Sequence, residues 1–318
     1  MSSPLFSITI VTRNRRTELN RALESIHTQQ YRPFEVIVVD NASQDGSAAF
    51  VDKHWPAVRL IRLHRNIGCQ PARNIGMANC SGKYIFNLDD DGWLHPQTLN
   101  RVVERFEREP ELSIINVRVI IPETDKQGWN EPVSGKKERY IANFSGCACA
   151  IRREDLAKIG YFPEYPRGHA EADLAIRALD AGKRLLYLPS AHVYHQPSGV
   201  ERDRTEIRYW LTRHRLETSL RLSPRSYVLL ELPWKLMLEL RAAGRENSWR
   251  GFFGGLGAFC WNLPRIIRQR RPVAKKSIRL RDFLTYSLVE DPQELSSGQA
   301  ANFSLLQVLK NKFRQKQK

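Results

Sequence analysis

Lys83-Tyr84-Ile85-Phe86-Asn87-Leu88-Asp89-Asp90-Asp91-Gly92-Trp93-Leu94 sets an apolar run, Tyr84 to Leu88, directly ahead of three consecutive carboxylates. Like charges that close repel unless a cation or a shared proton relieves them. A hard divalent cation, Mg2+ or Mn2+, gives that relief through oxygen ligands and keeps positions open for the phosphates of a nucleotide. The simpler alternative is an acidic turn capping the helix that begins near Pro96, and for the bare triplet it is the favoured reading. The order of the surrounding elements reverses that preference.

Upstream, Phe6 to Thr12 is short, β-branched and apolar, as a buried strand should be. Thr17 to Gln30 carries Leu19, Ala22, Leu23 and Ile26 at helical spacing. Glu35 to Asp40 is a near-continuous apolar strand of the kind covered on both faces in a parallel sheet. A helix over Gly46 to His54, a strand over Val58 to Leu63 and a helix over Pro71 to Cys80 lead into Tyr84 to Leu88 as the fourth strand. This alternation predicts an α/β fold of βαβ units with right-handed crossovers. In such sheets ligands bind beyond the carboxyl ends of the strands. Thr12 and Arg13, Asp40 and Asn41, Asn66, and Asp89 to Asp91 all follow strand ends and fall along one edge. Asp40 there could accept hydrogen bonds from a base or ribose. Neither GxGxxG nor GxxxxGK[ST] occurs, so the usual dinucleotide fingerprint and the P-loop are excluded.

These motifs together resemble the family 2 glycosyltransferases and their GT-A, Rossmann-like fold, including the bacterial rhamnosyltransferase-like enzymes. The resemblance rests on Ile10 to Arg15, Val38 to Ser47, Asn66-Ile67-Gly68 with Ala72 to Gly76, and Leu88 to Asp91. It implies a nucleoside-diphosphate sugar donor, with Thr12, Arg13, Asp40 and Asn41 around the nucleobase and ribose. Asp89 and Asp91 would be the DxD pair on ribose and metal, and Asn66 and Arg73 donor-side residues. On sequence alone Arg73 reads equally well as a helix-surface charge.

Beyond Pro96, an amphipathic helix over Gln97 to Glu109 and a strand over Leu112 to Ile121 are expected. Pro122 to Arg139 is a polar, Gly/Pro-punctuated loop, a candidate acceptor-side flap or an ordinary surface excursion. Phe144 to Ile151 resumes an apolar strand around Gly146, whose small residues would let a sugar approach the backbone closely or would suit tight core packing, while Cys147 and Cys149 read as buried hydrophobes. Glu171 and Asp173 open a helix, where acids often do no more than complement the helix dipole. In the resembled family this position carries the general base. The family pattern is Glu-Asp, one residue, Asp; here Ala170 and Glu171 occupy the first two places, which leaves Glu171, the preferred candidate, or Asp173 as the base. The resemblance also implies His195 as a third metal ligand.

The chain of 318 residues carries a formal charge of +16, of which Glu201 to Lys318 contribute 24 Lys and Arg against 11 Asp and Glu. A near-neutral portion, 1–200, is therefore read as the catalytic domain, with its nucleotide-sugar half over 1–95 and its acceptor half over 96–200. A basic helical tail covers 201–318. Its helices, expected over Ile207 to Leu222, Tyr227 to Ala243 and Trp249 to Gln269, mix Arg with aromatics. An anionic membrane surface is the first reading of that mixture, ahead of nucleic acid or plain packing on the catalytic domain. Lys310 to Lys318 is expected to be disordered. Five cysteines without a CxxC pair suit a reducing compartment. No secretory leader is recognisable, and the most apolar stretch, Tyr227 to Leu240, is interrupted by Glu231, Pro233, Lys235 and Glu239. The expected location is cytoplasmic, with peripheral contact on the cytoplasmic face of the inner membrane. The expected activity is inverting, metal-dependent sugar transfer to a glycan or lipid-linked acceptor in cell-surface polysaccharide synthesis. The rivals are a sugar nucleotidyltransferase and a non-enzymatic basic nucleic-acid-binding protein.

Overall fold

Strand β1 (Phe6–Thr12) lies inside a mixed sheet in the computed structural model, which describes residues 5–122, 126–127, 135–196, 203–291, 293 and 295. Helix α1 (Arg16–His27) buries Leu19, Ala22, Leu23 and Ile26, the face set by their spacing. Then follow β2 (Phe34–Asp40), α2 (Ser47–His54), β3 (Arg59–Arg62), α3 (Cys69–Ala78) and β4 (Tyr84–Asp89). β2 and β4 both pair in parallel with β1, and β3 with β2. Thr12 lies opposite Asp40 and Val11 opposite Asp89, so the register itself brings the polar strand ends to one edge.

The second half departs from the parallel pattern. Its elements are β5 (Gly92–Leu94), α4 (Thr98–Arg108), β6 (Leu112–Ile121), β7 (Lys126–Gln127), β8 (Arg139–Tyr140), β9 (Ala148–Arg152), α5 (Leu156–Ile159), α6 (Ala170–Asp180) and β10 (Arg184–His195). The sheet order is β3-β2-β1-β4-β9-β6-β10-β5, with β7 on β6 and β8 on β10. β9 is antiparallel to β4 and β6, and begins only at Ala148. The strand expected from Phe144 therefore gives up its first residues to a turn beside the carboxylates. β5, three residues just past the triplet, pairs antiparallel with the end of β10 and puts Gly92 opposite His195.

Among the described residues five tail helices follow: α7 (Arg204–Leu222), α8 (Arg225–Glu246), α9 (Trp249–Trp261), α10 (Leu263–Arg268) and α11 (Lys275–Tyr286). The helix expected across Trp249 to Gln269 is thus interrupted at Asn262. The tail is fastened to the sheet: the Ala274 amide and the Ser277 hydroxyl donate to Asp180 at 2.8 and 2.7 Å, and the Tyr140 amide donates to the Val289 carbonyl at 2.8 Å. Val273, Ile278, Phe283 and Leu284 belong to the same apolar core as β1 and β4. Packing on the catalytic domain, the third of the readings above, accounts for this part of the tail. Much of the basic charge is also internal: Arg208 lies 2.5 Å from Glu239, and Arg281 lies 2.5 Å from Glu231. Most of the Pro122 to Arg139 loop and all of Lys310 to Lys318 lie outside the described residues, as do the flap and disorder readings made for them. No helix among the described residues is long and apolar enough to cross a membrane.

Candidate active site

The three carboxylates of the triplet have three different environments. Asp90 and Asp91 are buried, while the Asp89 side chain keeps about a third of its surface, 30%, open. Asp90 accepts the Thr12 hydroxyl at 2.9 Å and Arg15 at 2.9 Å. Its burial raises the carboxyl to about 7; Arg15 opposes the rise, and Asp91 and Asp89 add to it. Asp91 accepts the same Arg15 nitrogen at 2.8 Å, and its other oxygen meets His195 Nε2 at 3.0 Å. Arg15 is thus the countercharge that lets two adjacent acids sit at a buried strand end. It stands in the first motif, but its role depends on a side chain reaching across the sheet.

Asp89 points the other way, onto Arg73. Arg73 is buried on α3, and its guanidinium also lies 3.8 Å from Glu171 on α6. Burial pulls this guanidinium down, but Cys69, Asp89 and Glu171 hold it well above its ordinary value, so the charge is permanent. The helix-surface alternative for Arg73 is therefore excluded. Glu171 also accepts a hydrogen bond from Gln70 at 3.0 Å and remains partly open to solvent. Space for this trio comes from Gly146: a Cβ there would overlap Glu171 Oε1 and approach Arg73 Nη1 to 2.7 Å. The small residue makes room for these side chains, which is the tight-packing reading of this stretch.

The structure separates the two candidate bases. Asp173 is fully buried one turn into α6, accepting Arg177 Nε at 2.8 Å on one oxygen and Arg221 of α7 on the other. Each oxygen faces an arginine, and Asp173 is closed off from solvent. In this structure its contacts are those of a clamp between α6 and α7. Glu171 alone faces the triplet edge. Left-handed backbone recurs around this edge, at Asn14 (φ 54°), Ala42 (φ 64°) and His169 (φ 64°), the last directly before α6. Strained turns of this sort are held in place by the surrounding packing. Gly68 (φ 92°) belongs with them, since a Cβ would stand 2.5 Å from the Pro166 Cα and push α3 off the loop that leads into α6.

Among the described residues one group of donor atoms fits a divalent cation: an oxygen of Asp89, the Cys147 sulfur and a ring nitrogen of His195 lie within 4.8 Å of one another. The carboxylate suits Mn2+ or Mg2+, and the imidazole and thiol tilt the preference toward softer ions. Cys147 is buried, as expected, and burial pushes its thiol far above the ordinary range. Asp91, the other ligand candidate, holds the His195 ring by one oxygen and Arg15 by the other. On the donor side, Asp40 accepts the Ser43 amide at 3.2 Å, and Asn41 ties Asn66 at 2.9 Å to the Gly68 carbonyl at 3.2 Å. Arg13 and Asn66 are exposed at the same edge. Arg15, Cys147 and Gln70 are the members of the cluster that sequence reasoning left out.

Known proteins are similar to this chain. The sequence profile of Glycosyl transferase family 2 matches residues 7–160. The uncharacterized glycosyltransferase YwdF of Bacillus subtilis is 30% identical over 183 residues, 54% of this chain and 67% of that protein. The succinoglycan biosynthesis protein ExoO of Rhizobium meliloti is 38% identical over 103 residues, 32% of this chain and only 30% of ExoO. Among solved structures, S. aureus TarS 1–349 in complex with UDP-GlcNAc superposes with a TM-score of 0.62 at 17% identity, covering 88% of this chain and 86% of that one. The mannosyltransferase PcManGT from Pyrobaculum calidifontis, in complex with GDP-Man and Mn2+, superposes with a TM-score of 0.56 at 19% identity, covering 82% and 88%. At such identities the two structures speak to the fold, a mixed sheet with a helical C-terminal region. The profile match and the YwdF relationship carry the assignment: this chain belongs to the family 2 glycosyltransferases.

Proposed function

We propose that this protein transfers a sugar, with inversion, from a nucleoside-diphosphate sugar to a hydroxyl of a glycan or lipid-linked acceptor in cell-surface polysaccharide synthesis. The observation that carries the reading is the opposition of Glu171 and Asp89 across the buried Arg73, one carboxylate on each side of the same strand edge. In a single in-line displacement Glu171 takes the proton of the acceptor hydroxyl while that oxygen bonds to C1. The C1–phosphate oxygen bond breaks with its electron pair, and the nucleoside diphosphate leaves. Arg73 lies 3.8 Å from Glu171, and its fixed charge needs no reorganisation as the reaction proceeds. Thr12, Arg13, Asp40, Asn41 and Asn66 form the shelf for the nucleoside, within 1–95; residues 96–200 supply Glu171 and the acceptor side.

Asp89, Cys147 and His195 would hold a divalent cation, with Asp91 fixing the imidazole. Mn2+ or Mg2+ bound there would neutralise charge on the departing diphosphate. The complexes of TarS with UDP-GlcNAc and PcManGT with GDP-Man and Mn2+ support a nucleotide-sugar donor and a divalent ion, and ExoO supports a polysaccharide setting. The basic tail, 201–318, is proposed to meet an anionic membrane surface on the cytoplasmic side, where a lipid-linked acceptor would be presented.

A thermal-shift panel of UDP-, GDP- and dTDP-sugars, each with and without Mn2+ or Mg2+, tests the reading. A donor at a hundredfold excess over its Kd should stabilise the fold by about 2.7 kcal/mol. One donor class should raise Tm only with the cation. A nucleoside triphosphate that stabilises the protein where every sugar nucleotide fails would replace this reading with a nucleotidyltransferase.

A further inference from the structure

Side chains that helices usually turn inward point outward on α8 and α9. Leu229 and Leu230 are 78% and 55% exposed, Phe253 is 61% exposed and Trp261 is 87% exposed. The inner faces of both helices are already packed: Leu232, Leu236 and Leu256 lie against the small core of Leu216, Phe259 and Ile266. The outward residues therefore do nothing for the fold.

They form a pattern. On α8, Leu229, Pro233, Met237 and Leu240 recur at three- or four-residue steps, which places them along one stripe. Gly244 continues it and, lacking a side chain, receives the Trp249 indole, whose nearest ring atom would stand 3.3 Å from a Cβ at that position. Trp249 in turn stacks on Phe253 with ring centroids 6.3 Å apart. The stripe so passes from α8 to α9 through ring contacts and extends along α9 to Trp261.

The charge on these helices has one sign. From Arg225 to Arg271 there are nine Lys and Arg and three acids. All three acids are taken, Glu231 by Arg281, Glu239 by Arg208 and Arg215, and Glu246 by Arg208. Arg241, Arg245, Arg250 and Arg268 are exposed and, among the described residues, meet no carboxylate. An apolar stripe with indoles at its boundary and cations beside it matches the acyl–headgroup zone of an anionic bilayer. A second copy of the chain would bring like charges together, which opposes association, and nucleic acid has no use for an exposed leucine stripe.

We propose that the outward face of α8 and α9 docks on an anionic phospholipid surface, with Leu229, Leu240, Phe253 and Trp261 in the acyl boundary and Arg241, Arg245 and Arg250 on the phosphates. This rests on, and deepens, the reading that the basic tail meets an anionic membrane, by naming the face and residues that do so; it does not depend on the transfer chemistry. The test is sedimentation of the full chain with unilamellar vesicles of phosphatidylcholine alone, or mixed with phosphatidylglycerol, at low and high salt.

The wild type should bind the mixed vesicles and lose binding as salt rises. Phe253→Ser with Trp261→Ser should weaken binding at least ~10-fold, and Arg241→Glu with Arg245→Glu should remove the preference for phosphatidylglycerol. Both pairs are exposed, so melting curves should match the wild type. Unchanged vesicle binding by the serine pair, no binding by the wild type, displacement from vesicles by single-stranded RNA at equal concentration, or a dimer that the serine pair turns into a monomer would overturn the proposal. Donor hydrolysis is read alongside: vesicle binding without hydrolysis would sink the transferase reading and leave this one standing.

Discussion

Asp173→Ala should unfold the protein at lower temperature without being a lesion of the chemical step. Asp173 is 0% exposed, and its oxygens hold Arg177 at 2.8 Å and Arg221. Removing it strands two guanidinium groups between α6 and α7. Breaking a buried pair in this way costs about 3–5 kcal/mol. Arg177 and Arg221 keep 20% and 17% of their side chains in solvent, so water recovers part of that loss and the lower end, ~3 kcal/mol, applies. At roughly 2–4 °C per kcal/mol for chains of about this size, Tm should fall by ~6–12 °C. Glu171→Gln should leave Tm at the wild-type value, because Glu171 is partly exposed and Gln70 is its one close hydrogen-bond donor. Differential scanning fluorimetry on both variants, with donor binding and transfer below the lower Tm, reads the contrast. An Asp173→Ala protein that melts like the wild type, binds donor and transfers nothing would restore Asp173 as the base and refute the clamp.

Three further outcomes follow from individual contacts. Gly146→Ala should displace Glu171 and Arg73 and lower the transfer rate by ~10²-fold, the scale of a 1 Å misplacement, with far-ultraviolet circular dichroism unchanged; a wild-type rate would mean the trio is not held by that glycine. Burial lowers His214 to about 4, so between about pH 6.5 and 4 the unfolded chain binds the extra proton and stability falls as pH falls. That loss, at most ~3 kcal/mol at pH 4, should shrink in His214→Gln when chemical denaturation is compared at pH 7 and pH 5. Cys147→Ser should reduce the Tm increase given by Cd2+ relative to that given by Mn2+, measured without donor; an unchanged ratio would put the sulfur outside the cation site.

The first ninety residues were legible because their structure is local. Short β-branched strands ending in Thr12, Asp40 and Asp89 alternate with amphipathic helices, and parallel pairing then brings those ends together without further information. The expected bounds of Leu112 to Ile121 and Tyr84 to Leu88 hold to within one residue. What the chain does not spell out is long-range. Arg15 meets Asp91 across 76 residues, and Arg221 meets Asp173 across 48. Cys147 becomes a candidate donor atom only because β9 starts late and leaves a turn next to His195. The choice between Glu171 and Asp173 turns on which side of α6 faces the sheet edge, and periodicity assigns both to the first turn. In the tail, composition foresaw aromatics among cations. Which arginines are neutralised inside and which face outward is decided by tertiary pairing with Glu231 and Glu239.

The central claim is that Glu171 takes the acceptor proton. Its most direct test is the single-turnover transfer rate of Glu171→Gln with a donor to which binding has been measured. The account predicts a loss of about 10²–10⁴-fold in rate at unchanged donor affinity, the usual range for removing a general base. A glutamine variant that transfers at the wild-type rate would contradict it.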